Sequence, residues 1–139
     1  MLVKVHWQPL GDFDKDEYWK YLRCLYAYTT VNTDEILYIG KAWRNTIHER
    51  WKAPDKEKLW RALEEQRQIH EHCIMFGNLE LEEGRKFSSE LLSDVESLLI
   101  AREQPWGNIQ SKKSRISRRN LKVKCLGNWI GKCRTYTDE

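Results

Sequence analysis

The segment from Tyr21 to Gly40 constrains this chain more than any other. Tyr21 to Val31 is rich in Tyr, Thr and Leu, side chains that suit a pleated, half-buried surface. Asn32-Thr33-Asp34 is a turn signal, and Glu35 to Ile39 is a second strand that ends at Gly40. A hairpin centred on Thr33 sets Val31 opposite Glu35 and Tyr28 opposite Tyr38. Directly opposed residues of an antiparallel pair share a face, with Cβ atoms roughly 4.5–5.5 Å apart, so the two phenols stand side by side. The period of two adds Tyr26 and Gly40 to that face and sends Ala27, Leu37 and Ile39 to the other. The second face is aliphatic and belongs to a core. The first is phenolic, with a glycine that leaves space beside the rings.

Further along, a short helix is expected from Asn45 or Thr46 to Lys52, with Ile47 and Trp51 at i, i+4 as its buried stripe and Arg50 beside it. Pro54 breaks that helix. Lys56 to about His70 forms the next, with Leu59, Trp60, Leu63 and Arg67 inward. Cys73 to Leu81 reads as a third strand. Ser88 is an N-cap for a helix reaching about Arg102, with a wide apolar face of Leu91, Leu92, Val95, Leu98 and Leu99. Glu96 interrupts that face, and a carboxylate among leucines is costly unless paired or metal-bound. Pro105 stops the helix, Trp106-Gly107-Asn108 is a turn, and Asn120 to Leu126 can form a final strand. Residues 1–19 read as an N-terminal extension in which Leu2-Val3-Lys4-Val5 can be a short strand.

The 139 residues fit one domain, 1–139, with a core over about 20–127. No apolar run reaches a membrane-spanning length, and the N-terminus lacks a signal-peptide pattern, so a cytoplasmic protein with no membrane partner is expected. Cys24, Cys73, Cys125 and Cys133 include no C-x-x-C pair and read as plain thiols. His70 and His72 read as structural or solvent-facing. The net charge of +3 is unevenly spread: nine of the 24 Lys and Arg, but only two of the 21 Asp and Glu, lie in residues 104–139. In the basic C-terminal segment 111–139, Lys112, Lys113, Arg115, Arg118, Arg119, Lys122 and Lys124 run without an acid between them. Such a run is either a solvated segment or a phosphate-facing patch that gains affinity by counterion release.

Tyr26-Ala27-Tyr28, Tyr38-Ile39-Gly40 followed by Lys41, Arg50 on a helix, Glu96 within Val95–Ile100, and Pro105-Trp106-Gly107-Asn108 together resemble the GIY-YIG nuclease superfamily in order, spacing and residue type. The first tripeptide lacks the family's leading glycine and isoleucine. Arg44 is a rival to Arg50, but it precedes the helix. Some members carry a histidine one turn after the arginine, where this chain has Pro54; His48 or a water would have to replace it.

The resemblance implies an α/β (α+β) fold with a small central antiparallel sheet of three strands, flanked by helices. It implies a metal-dependent endonuclease acting on DNA, in repair or restriction, with Tyr28, Tyr38, Lys41, Arg50, Glu96 and Asn108 as site residues. Glu96 would hold one Mg²⁺ or Mn²⁺, since one carboxylate plus waters and substrate oxygens suffices for such an ion. Arg50 would fork onto the phosphate. Tyr38 would act on the attacking water with Tyr28 orienting, given a cation such as Lys41 or Arg50 to lower its pKa. Asn108 would fix the metal-side geometry or a phosphate oxygen. Target choice would fall to the basic segment, a homodimer or a partner protein. The rival expectation is a nucleic-acid-binding or assembly module that keeps the fold without turnover.

Overall fold

Val3, Val5 and Trp7 alternate with Lys4, His6 and Gln8, the pattern of a strand with one face in a core, and in the computed structural model this segment is one. The structure describes residues 1–12, 15–111 and 120–138. In chain order the elements are β1 (Leu2–Pro9), a 3-10 turn (Glu17–Lys20), β2 (Cys24–Thr29), β3 (Ile36–Ala42), α1 (Ile47–Trp51), α2 (Pro54–Arg67), β4 (Cys73–Leu81), α3 (Ser89–Glu103), a second 3-10 helix (Trp106–Ser111), β5 (Lys122–Gly127) and β6 (Thr135–Thr137).

The strands form one six-stranded mixed sheet in the order β3-β2-β4-β1-β5-β6. Neighbours are antiparallel except β1 and β5, which run parallel. This corrects the expectation of a three-stranded antiparallel sheet. The segment taken for an extension lies inside the sheet, between β4 and β5. Its partners are distant in sequence, and a parallel pair needs a long crossover rather than a readable turn.

Helix boundaries follow local chemistry. Thr46 closes a capping box with Glu49 at the start of α1. Ser88 Oγ accepts from the Leu91 amide at 3.1 Å. The first helix ends at Trp51, ahead of Pro54, and Pro54 itself opens α2, where its missing N–H costs nothing. The helix ends on Gln68 in the left-handed conformation, φ 53°.

The hairpin pairs Tyr28 with Tyr38, Ala27 with Ile39 and Tyr26 with Gly40. The next pair is Thr29 with Ile36, which leaves Leu37 as the extra residue of a bulge. Leu37 therefore joins the tyrosine-side cluster, not the aliphatic face with Ala27 and Ile39. The Val31–Glu35 pair does not form either: the Thr30 amide donates to the Glu35 carbonyl at 3.0 Å.

Each sheet face has its own core. α3 presses Leu91, Leu92, Val95, Leu98 and Leu99 onto Val3, Val5, Trp7, Leu25, Ala27, Ile39 and Val123, each buried side chain contributing about 1.5–3 kcal/mol. On the other face Trp19, Ile47 and Leu63 cover Tyr26, Tyr28, Ile74 and Phe76. That second cover stops short of β1 and β5, where His6, Lys122 and Lys124 are exposed. Among the described residues no helix is long and apolar enough to cross a membrane, and all four cysteines are free thiols.

Candidate active site

Three phenols form the floor of the site. The rings of Tyr28 and Tyr38 stack with centroids 5.4 Å apart, and Tyr26 lies 5.3 Å from Tyr28 and 6.2 Å from Tyr38. Gly40 makes this packing possible: a Cβ there would run into the Tyr26 ring. Tyr26 and Tyr28 are fully buried and Tyr38 only partly so. Among the described residues the polar neighbour of the buried Tyr28 hydroxyl is the Tyr26 phenol. Burial pushes all three phenols above the ordinary tyrosine range. For Tyr38 the Glu96 carboxylate adds to the rise and the Arg50 guanidinium opposes it. The expectation that neighbouring cations would lower a tyrosine is met by Arg50 in sign, but burial outweighs it.

Around this floor stand charges from β3 itself and from three further elements. Arg50 on α1 reaches Asp55 with Nη2 to Oδ2 at 3.4 Å. Lys56, in the first turn of α2, is 2% exposed; its Nζ is 3.4 Å from the same Asp55 oxygen and 5.0 Å from the Tyr38 ring centre. Lys41 on β3 donates to Ser93 Oγ on α3. Glu96, three residues further along α3, is partly buried. Burial raises its carboxyl to about 7, against the pull of Lys41, Arg50 and Lys56. The cationic helix ends and the carboxylate thus act on one another across β3, the edge of the sheet.

Asn108 has another place. It is buried, its Oδ1 accepts from the Ile39 amide at 2.8 Å, and its Nδ2 donates to the Ile39 carbonyl at 2.9 Å. The side-chain amide pairs with the open edge of β3 as a neighbouring strand would. It positions Tyr38 and Gly40, which flank Ile39, rather than facing the charges. Arg44 is exposed in the bend before α1. His48 packs toward Trp19 and Trp51.

Of the two histidines read as structural or solvent-facing, His72 is structural and lies against the phenols. Its ring stacks on Trp60 at 4.1 Å, meets Tyr28 edge-on at 5.4 Å, and its Nε2 accepts from Trp51 Nε1 at 3.0 Å. His72 is thus the back wall of the phenol cluster. His70 is exposed, 3.8 Å from Glu64.

Sequence reasoning missed Tyr26, Asp55 and Lys56 as members of the site. Lys56 left a signal, since it occupies the helical stripe of Leu59, Trp60 and Leu63, where a lysine is out of place. Tyr26 left one in its pairing with Gly40.

Of the expected nucleic-acid-binding residues, Lys112, Lys113, Arg115, Arg118 and Arg119 lie outside the described residues. Lys122 and Lys124 are exposed on β5. Strand register puts them on the same sheet face as the phenols: Lys124 pairs with Lys4 and Lys4 with Glu80, while Gln8 pairs with Phe76 and Phe76 with Tyr26. No family model, curated protein or solved structure matches this chain.

Proposed function

We propose that this chain is a compact GIY-YIG-like endonuclease that hydrolyses phosphodiester bonds in DNA with the help of a divalent metal. The observation that carries the reading is that Lys56 lies 5.0 Å from the Tyr38 ring centre and shares the Asp55 carboxylate oxygen with Arg50, with the Glu96 carboxyl, from a fourth element, within electrostatic reach of these groups. Core packing gives no reason to enclose a carboxylate and an ammonium together beside phenols, because each must leave water. Phosphodiester hydrolysis gives one: it needs positive charge on the phosphate, a group to handle the attacking water and a carboxylate for a metal.

Arg50 binds and orients the scissile phosphate. Tyr38, the only one of the three phenols with appreciable exposure, holds the attacking water and, in its phenolate form, accepts the water's proton on its phenolic oxygen. Tyr28 and Tyr26 keep that ring in place, and Asn108 holds the strand that carries it. A rate that climbs on the alkaline side follows from the raised Tyr38.

The residues fit a hard cation bound on a single carboxylate. Glu96 supplies one oxygen donor group, and among the described residues no cluster of three His, Cys, Asp or Glu forms a closed cage. Mg²⁺ or Mn²⁺ would keep most of its waters and share phosphate oxygens at such a place; bound there, it supplies Lewis-acid polarisation of the phosphate. The four free thiols suit a cytoplasmic protein. A homodimer or a partner protein would provide the second active site or the target choice.

The test is nicking of supercoiled plasmid by purified protein with Mg²⁺ or Mn²⁺, with EDTA and with Glu96→Ala and Arg50→Ala. Metal-dependent nicking that both substitutions abolish is expected. Equal background in the wild type and Glu96→Ala would remove the enzymatic reading. Salt-dependent DNA binding without cleavage would leave a binding module.

A further inference from the structure

Lys56 is in an expensive position. It is the third residue of α2, where a positive charge opposes the helix dipole, and its side chain is 2% exposed. An ammonium has three donors. Among the described residues the only hydrogen bond it makes is a long one, 3.4 Å, to its neighbour Asp55, whose own side chain is 60% exposed. The faces of Tyr38 and Tyr26, 5.0 and 5.7 Å away, offer cation–π attraction but no acceptor in hydrogen-bond reach. A lysine serving only as a structural tie would meet a close, buried carboxylate.

The surroundings are short of negative charge. Arg50 Nη2 approaches the same Asp55 oxygen, also at 3.4 Å, so two cations converge on one point that a solvent-facing carboxylate fills loosely. Lys41 adds a third cation acting on Glu96. Against these three stand Asp55 and Glu96. Two donor-rich cations held apart by a weakly bound oxygen have the form of a site for a tetrahedral oxyanion, with the guanidinium as a fork and the ammonium as a point charge.

We propose that Lys56 is a catalytic residue of this site, the second cation that grips the scissile phosphate opposite Arg50, displacing its loose contact with Asp55 when DNA binds. This rests on the nucleolytic reading above and adds to it a residue that the sequence resemblance does not mark. The work of Lys56 is to hold positive charge on the phosphate oxygens where negative charge develops.

The experiment compares wild type with Lys56→Met, which keeps the buried stem and deletes the charge, and with Lys56→Arg. In EDTA, affinity for a short DNA duplex is measured against salt. Thermal stability is measured with and without inorganic phosphate, and single-turnover cleavage is measured with Mg²⁺. For Lys56→Met we expect a salt slope shallower by about one phosphate contact, loss of the phosphate-induced rise in Tm, a phosphate-free Tm no lower than wild type, and cleavage slower by about 10²–10³-fold. Lys56→Arg should recover most of the slope.

If Lys56→Met keeps the wild-type slope and cleavage rate, Lys56 is not a phosphate ligand, while the nuclease reading stands. If the wild type cuts nothing but slope and phosphate response still depend on Lys56, the phosphate site holds and the nuclease reading fails. If the wild type binds neither DNA nor phosphate, both fail together.

Discussion

Glu96 stands under two opposed effects: removal from water, which favours its neutral form, and three cations, Lys41, Arg50 and Lys56, which favour its charge. Burial wins, and the carboxyl rises from 4.5 to about 7. The sign of the consequence is set by linkage. The folded protein holds this proton to higher pH than the unfolded chain, so stability is fullest below about pH 4.5 and falls as pH rises to about 7. At about 1.4 kcal/mol per pH unit the loss reaches about 3 kcal/mol. Glu96→Gln removes the proton and with it this dependence. In EDTA the variant should therefore be more stable than wild type at pH 8, with the two converging near pH 4.5, as read from urea midpoints across pH. Mg²⁺ should stabilise the wild type at pH 8 and leave the variant unmoved. Parallel stability curves at all pH values would mean that Glu96 is solvated and poorly placed for metal.

The edge strand β3 carries Tyr38, Gly40 and Lys41, and an edge strand is free to fray on its outer side. Asn108 closes it at Ile39 through both halves of its amide, and Gly107 permits the approach, since a Cβ there would meet the Leu37 carbonyl at 2.6 Å. Asn108→Ala strips partners from the Ile39 amide and carbonyl, at about 1–3 kcal/mol for each group left unpaired. The expected result is a lower urea midpoint and faster hydrogen exchange at the Ile39 amide, with cleavage falling as the strand loosens. Unchanged stability with lost cleavage would instead make Asn108 a direct phosphate contact. The element scale is also where legibility in the sequence divides. The Tyr28–Tyr38 register, the Ser88 cap and the leucine face of α3 were readable because turn chemistry, caps and periodicity are local. Leu37 was misplaced because a bulge shifts register without any mark in residue type. Lys56 was overlooked because its meaning depends on Tyr38 and Arg50 from other elements. The place of β1 was hidden for the same reason: nothing near Leu2–Pro9 names Lys122–Gly127 as its parallel partner.

Across the whole molecule, one sheet face joins the phenol cluster to an open, basic margin. From β3 to β5 is four strand spacings, roughly 19 Å at about 4.8 Å each, a span that a DNA duplex can follow along its backbone. The margin bears Lys124 directly opposite Lys4, with Lys122 one step along the same face. Like charges set opposite one another destabilise a sheet, and Glu80, which pairs with Lys4 on its other side and is held below the usual carboxylate range by His6 and Lys4, offsets only part of that repulsion. A polyanion laid over this face would relieve the repulsion. Replacing Lys122 and Lys124 together by Ala should weaken DNA binding to a similar degree for all sequences and reduce the salt slope by about 0.9 for each lost phosphate contact. Because both residues lie far from Arg50 and Tyr38, single-turnover cleavage at saturating DNA should stay close to wild type. A drop in that rate with no change in salt slope would place the DNA elsewhere, and the double substitution to Glu, which reverses the charge without altering the exposed strand face, should then bind as the wild type does.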